Sequence, residues 1–151
     1  MLSSQLLILL IISQIALCDS VPFISCCNDS KVKVLKIEGT PWPPVSGVDL
    51  TLSIEAEVLE DLKSLYLNAT ASQRLSRKFW IPINSVVRDI CRSSPILCPI
   101  KQKKTIKIKE TYEIPPSTPI NSEWKLKMSF TAVDGGDEIG CILLDSTVIR
   151  M

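Results

Sequence analysis

The residues of this chain whose types and spacing could do chemistry are its cysteines, two closely spaced glutamates and a run of lysines. Cys91 and Cys98 stand in CRSSPILCPIKQKK with six residues between them. A dithiol redox motif needs two intervening residues, and no pair in the chain has that spacing. The sequence contains no histidine, which removes Ser-His-Asp and Cys-His nucleophile arrangements and every His-based zinc or iron site. The chain is therefore read as holding no metal and no cofactor. Glu55 and Glu57, two apart in LTLSIEAEV, could suggest a carboxylate pair for acid–base catalysis. They fall on the polar face of an amphipathic strand with no pocket implied, so the reading is non-enzymatic. Lys101, Lys103, Lys104, Lys107 and Lys109 read as a solvated strand face and a protected sheet edge. The functional alternative is docking on anionic membrane lipid.

Compartment decides how the cysteines are read. The first eighteen residues, MLSSQLLILLIISQIALC, carry no charge and include an apolar run over residues 6–12. That run is shorter than the roughly 20 apolar residues a membrane span needs. Ala16 and Cys18 are small residues at the −3 and −1 positions of a cut before Asp19, as in a secretory signal peptide. A lipid anchor at Cys18 is disfavoured by bulky Leu17. The expectation is a signal peptide over 1–18 and one domain over 19–151, secreted or delivered to the lysosomal lumen, with its cysteines oxidised. The net charge of +1 excludes bulk electrostatic binding of nucleic acid, which calls for a strongly basic domain.

The elements that must position these residues are strands. In GVDLTLSIEAEV, Leu50, Leu52, Ile54, Ala56 and Val58 share one face, and polar residues fill the other. SKVKVLKI, SLYLNAT, RKFWIPI, KTIKIKETYEI, EWKLKMSFTAV and GCILLDSTVI repeat the pattern, separated by turn-rich segments. Seven strands of an all-β sandwich follow, with a short helical turn within residues 84–92. Pro82 predicts a strand end or sheet edge. Glu110 interrupts the apolar parity of Ile106, Ile108, Tyr112 and Ile114, so it sits at the rim or a bulge resets the phase. Cys91 and Cys98 suit a local bridge contributing about 2.5 kcal/mol. A bridge from Cys26 or Cys27 to Cys141 closes more than a hundred residues and contributes about 5 kcal/mol. One of the adjacent pair is left free or intermolecular.

Taken in order, CNDSKVKVLKI, FWIPI, the C-x6-CPIKQKKTIKI stretch and DGGDEIGC resemble the MD-2-related lipid-recognition (ML) family. The likeness is strongest to its Niemann-Pick type C2 sterol-transfer branch and to the group 2 mite allergens, and it spans essentially residues 19–151. The resemblance implies an immunoglobulin-like two-sheet β-sandwich with an apolar cavity between the sheets. It implies pairing of Cys27 with Cys141 and of Cys91 with Cys98. Ligand-lining positions carried over are Leu50, Leu52, Phe79, Ile81, Tyr112, Ile114, Leu126, Met128, Phe130 and Ile142. Most are inward positions of the alternation already described.

The implied function is a monomeric carrier that shields a sterol or other apolar lipid and passes it between membranes or to an acceptor protein or receptor. The alternatives are a module presenting a microbial lipid to an innate-immune receptor, and a phospholipid transfer protein. Asn28 (NDS) and Asn68 (NAT) are N-glycosylation sequons, Asn68 having solvent-facing strand parity.

Overall fold

Strand alternation is realised along most of the chain. A computed structural model describes residues 18–93 and 98–148. The signal-peptide expectation falls almost wholly on residues 1–17 and the middle of the Cys91–Cys98 loop on 94–97, both outside the described residues. In chain order the strands are β1 (Asp19–Ser20), β2 (Ile24–Ser25), β3 (Val32–Thr40), β4 (Leu50–Val58), β5 (Tyr66–Arg74) and β6 (Trp80–Asp89). After the one-turn helix α1 (Ile90–Ser93) come β7 (Thr105–Tyr112), β8 (Glu123–Thr131) and β9 (Glu138–Val148). β3 to β9 are the seven expected strands; β1 and β2, two residues each, are additional.

The strands form two antiparallel sheets, β1-β3-β4-β7 and β2-β9-β8-β5-β6. In β4 every odd position of the element, from Leu50 to Val58, is buried and every even one is half-buried. Leu52, Ile54 and Ile106 of one sheet and Leu67, Met128 and Phe130 of the other are essentially inaccessible to solvent. These side chains form the interior of the sandwich. Glu55 and Glu57 point away from it, with Lys36 and Lys33 as register partners on β3; Lys107 flanks Glu55 on β7. Opposite charges at these cross-strand positions give both glutamates a role in sheet pairing.

Three expectations are corrected. β6 runs on through Ser85, Val86 and Val87 to Asp89, where a turn-rich connection was expected, and the helical turn is confined to Ile90–Ser93. The β4–β7 register is unbroken through Leu52↔Glu110, so no bulge resets the phase. Glu110 faces inward and is only 8 % exposed. The long disulfide joins Cys141 to Cys26, not to Cys27. The reason is register: β2 pairs with β9 through Ile24↔Leu143 and Ser25↔Ile142, and the next step sets Cys26 opposite Cys141. The Cys26 amide donates to the Cys141 carbonyl at 3.0 Å, and the two Cα atoms are 5.1 Å apart, within the range a disulfide spans. Cys27, one residue on, is a free thiol. The Cys91–Cys98 bridge forms as expected. It holds the chain where Leu62 and Ile100 exchange two backbone hydrogen bonds of 2.9 and 2.8 Å, ahead of β7.

Candidate functional site

At one end of the sandwich the two sheets enclose a cavity of about 370 Å³. Leu50 begins β4 and Tyr112 ends β7; together they form the wall of the four-stranded sheet, with Ile114 just beyond. Opposite them stand Ala71 of β5, Ile83 and Asn84 of β6, and Trp124, Lys125 and Leu126 of β8. The rim is closed by Pro44, Pro115 and Thr118. Gly47, at φ 78°, donates its N–H to the Ile114 carbonyl at 3.0 Å, tying the β3–β4 connection to the segment after β7. A residue with a side chain is strained in that conformation. The volume lies in the lower part of the range for small-molecule sites, and a mainly apolar wall with a few polar groups is their usual chemistry.

Polar groups collect at two places. Arg88 of β6 donates from Nε to the Glu110 carboxylate of β7 at 3.2 Å, across the seam between the sheets. Tyr112 lines the cavity, yet its hydroxyl is buried without a hydrogen-bond partner. Leaving such a group unpaired costs about 1–3 kcal/mol. Burial, with the Glu110 charge adding to it and Arg88 partly opposing, pushes the phenol well above its ordinary pKa. At the rim, the Lys125 ammonium lies 4.2 Å and the Arg74 guanidinium 5.5 Å from the Trp80 ring centroid, a double cation–π contact. Arg74 also pairs with Glu123.

Of the ten positions expected to meet a ligand, Leu50, Tyr112, Ile114 and Leu126 line this cavity. Leu52, Met128 and Phe130 are packed into the solid core farther along the same strands, without solvent exposure, and Ile142, on β9, lines a separate cleft instead. Phe79 and Ile81 are 69 % and 41 % exposed and do not line the cavity. Phe79 lies in the β5–β6 turn, where its carbonyl accepts from the Leu75 amide at 2.9 Å. Ile81 lies on β6, the outermost strand of its sheet, most of which stays exposed. The pairing shifts from Ala71↔Asn84 to Ser72↔Pro82, so Ile83 is skipped, and Ile83, not Ile81, reaches the cavity wall. Trp124 was missed although its parity with Leu126 marked it as inward; Ala71 and Asn84 carried no apolar signal.

A second cleft of about 310 Å³ lies between β3 and β9 and includes Cys27, Asn28, Lys33 and Cys141. Its wall is more polar. The Cys27 thiol donates to Glu138 Oε2 at 3.7 Å; burial first, then the Glu138 charge, raises its pKa. Cys27, Glu138 and Cys141 are the one trio among the described residues with metal-ligand atoms in mutual reach. The Cys141 sulfur is committed to a disulfide, so the trio cannot act as a three-donor site. Asn28 and Asn68 are both exposed.

Comparison with known proteins agrees with this architecture. A Dictyostelium discoideum protein named for phosphatidylglycerol/phosphatidylinositol transfer is 28 % identical over 142 residues, covering 91 % of this chain and 85 % of that protein. The crystal structure of a Niemann-Pick type C2 protein from the Japanese carpenter ant superposes with a TM-score of 0.62 at 18 % identity. It covers 85 % of this chain and 99 % of the ant protein. The sporulation control protein Spo0M of Bacillus subtilis shares the fold more loosely, with a TM-score of 0.50 at 12 % identity, over 81 % of this chain and half of its own. The family model for the ML domain matches residues 20–148, nearly the whole of both sheets, and the chain belongs to the ML domain family.

Proposed function

We propose that this protein is a lipid carrier, secreted or resident in the lysosomal lumen, that holds one apolar lipid between its sheets and delivers it to a membrane or an acceptor. The observation that carries the reading is the cavity itself, walled by Leu50, Tyr112 and Ile114 on one side and Ile83, Trp124 and Leu126 on the other. Burying roughly 400 Å² of apolar ligand surface there provides about 10 kcal/mol gross. Association and ordering costs reduce that to micromolar or nanomolar affinity. No bond is made or broken. The protein acts as a monomer.

Loading and release need contact with a bilayer, and the exposed side chains beside the cavity favour one surface for it. The β5–β6 turn presents Leu75 and Phe79, 72 % and 69 % exposed, next to exposed Arg77 and Lys78. Apolar side chains flanked by cations suit an anionic lipid surface. The 101–109 lysines suit it less. Those at 101–107 lie toward the opposite end of β7 from Tyr112, and Lys101 is already paired with Asp61 at 3.0 Å.

Native mass spectrometry and lipid extraction of the secreted protein test the reading. One co-purifying lipid per chain is expected; an empty cavity that takes up neither sterol nor phospholipid would overturn it. Phospholipid transfer is a second reading, favoured by the Dictyostelium relative, and a diacyl phospholipid as the extracted cargo would select it.

A further inference from the structure

The β7–β8 connection contributes Pro115 and Thr118 to the cavity rim, and the β3–β4 connection contributes Pro44. A lipid passing between the two connections has to part them. Residues 115–122 belong to no strand, and serine hydroxyls fasten them at both ends. At one end stands Ser46, half-buried, with three carbonyl oxygens in reach: Thr118 at 3.0 Å, Pro116 at 3.1 Å and Pro115 at 3.5 Å. A serine hydroxyl has one proton to donate, so this is a single bond shared among three acceptors. At the other end Ser122 donates to the Pro119 carbonyl and accepts from Trp124 Nε1, both at 2.6 Å. Between the fastenings the segment is stiff. Pro115, Pro116 and Pro119 fix φ, and the Thr118 amide donates to the Pro115 carbonyl at 2.9 Å. A stiff piece hung on two hydroxyls lifts as a unit when one lets go.

The same segment adjoins the surface favoured for docking. Its end, from Asn121 to Glu123, shares an open cleft with residues 74–78 of the β5–β6 turn, and Glu123 pairs with Arg74. Ile120, one residue earlier, is 47 % exposed.

We infer that residues 115–122 are a strap that gates the cavity, with Ser46 as its latch and membrane contact as its trigger. With the latch made, the strap holds the rim closed over the cargo. When the β5–β6 turn and Ile120 enter a bilayer surface, the strap lifts off Ser46 and the mouth opens into lipid. Ser46 does not line the cavity; it is a positioning residue that acts through Pro115 and Thr118. It therefore sets the rate of exchange and leaves the affinity alone, as a lid does. The inference rests on the lipid-carrier reading and adds a gate to it.

Release kinetics of the whole protein test it, with dehydroergosterol or an NBD-labelled phospholipid, whichever the protein loads. Release is timed into anionic vesicles and into a soluble acceptor, cyclodextrin. The intact protein is expected to release faster into vesicles. In Ser46→Ala, loading from and release to cyclodextrin should both speed up about threefold to tenfold, the net worth of one hydrogen bond. Kd should hold within about twofold, and the advantage of vesicles should shrink. A merely structural serine would change stability or affinity without moving both rates in step.

A cross-link supplies the opposite perturbation. A Cβ at Gly47 lies 3.6 Å from the Pro116 Cβ, within the span of a disulfide. Gly47→Cys/Pro116→Cys, made with Cys27→Ser to remove the free thiol, is expected to slow release into vesicles by about tenfold or more. Gly47→Cys with Cys27→Ser is the control, since it carries the same backbone strain at φ 78°. Unchanged rates in Ser46→Ala overturn the latch, and a cross-linked protein that releases as fast as its control overturns the gate. Equal rates into vesicles and cyclodextrin from the intact protein overturn the trigger. All three leave the carrier reading standing, whereas a protein that loads neither probe overturns both.

Discussion

Arg88 and Glu110 form the only ion pair between the two sheets among the described residues. The other side-chain pairs lie within one sheet, within one strand or between loops. Their side chains are unequally placed, Arg88 49 % exposed and Glu110 10 %, and the consequence is asymmetric. Removing Arg88 strands a carboxylate away from water, whereas removing Glu110 leaves a guanidinium that hydrates. Arg88→Met is expected to cost about 2 kcal/mol, short of the 3–5 of a fully buried pair, and Glu110→Met less. The double variant should approach the intact protein. Urea unfolding ranks the three; equal losses from the two single changes would show that the pair does not hold the seam.

The disulfide assignment makes an equally sharp statement about neighbouring residues. Cys27→Ser should leave the Cys26–Cys141 linkage and the stability intact, because Cys27 takes no part in it. Cys26→Ser alone is a poor control: the Cys27 sulfur lies within 4.8 Å of the Cys141 sulfur and stands ready to replace it. The double variant Cys26→Ser/Cys27→Ser removes the bridge and should cost about 2–5 kcal/mol, given a closed loop of 115 residues. Peptide mapping under non-reducing conditions checks the linkage and calorimetry the loss. A Cys27–Cys141 peptide from the unaltered protein would refute the assignment.

Tyr112 also predicts how stability depends on alkaline pH. In the unfolded chain its phenol ionises near about 10; in the fold, burial and Glu110 hold it protonated well above that. Below the unfolded pKa both states carry the proton and the contribution is constant. Above it the unfolded chain releases a proton that the native state keeps, so stability falls as pH rises toward the folded pKa. The limiting slope is about 1.4 kcal/mol per pH unit. Tyr112→Phe lacks this term. The gap between the two proteins should therefore change across pH 10 to 11, and parallel stability curves would contradict the burial of the hydroxyl.

What the sequence disclosed, and what it hid, follows from the range over which each property is decided. The alternation of Leu50, Leu52, Ile54, Ala56 and Val58 is a local period, and it gave the strand and its buried face directly. The same period could not separate Leu50, at the cavity, from Leu52, in the solid core, because where the sheets close onto one another is a tertiary property. Carrying Phe79 and Ile81 inward assumed a strand without interruption, while the register shift at Ala71 and Ser72 skips Ile83. Choosing between Cys26 and Cys27 required the register of β2 on β9, set by a two-residue strand with no pattern of its own. Glu110 looked like an error in the period because its partner, Arg88, lies in the other sheet.

If the cavity is the ligand site, filling it should abolish binding without unfolding the chain. Ala71 faces it from β5. Ala71→Phe places a ring in empty space instead of in the close-packed interior around Met128 and Phe130, so the overpacking penalty of about 1–3 kcal/mol that core insertions bring should be largely avoided. Lipid affinity is expected to fall by at least about tenfold, the equivalent of 1.4 kcal/mol, with the melting temperature held or raised. Unchanged affinity in a folded Ala71→Phe protein would move the site elsewhere.

Docking at the β5–β6 turn separates transfer from binding. Leu75 and Phe79 are too exposed to contribute to the core, so Leu75→Glu/Phe79→Glu should leave stability and lipid affinity in solution nearly unchanged. On a membrane the same changes remove two apolar anchors and add two negative charges beside Arg77 and Lys78. Transfer to vesicles rich in anionic lipid is then expected to slow by about tenfold or more, each basic residue near such a surface being worth about 1 kcal/mol. Added salt should slow the intact protein toward the variant, since the Debye length shrinks from about 10 Å at 0.1 M to about 3 Å at 1 M. Lys103→Gln/Lys104→Gln, at the other end of β7, should have little effect. The reverse pattern, with transfer lost in the lysine variant and kept in the hairpin variant, would put the membrane face at the start of β7 and leave the hairpin without that role.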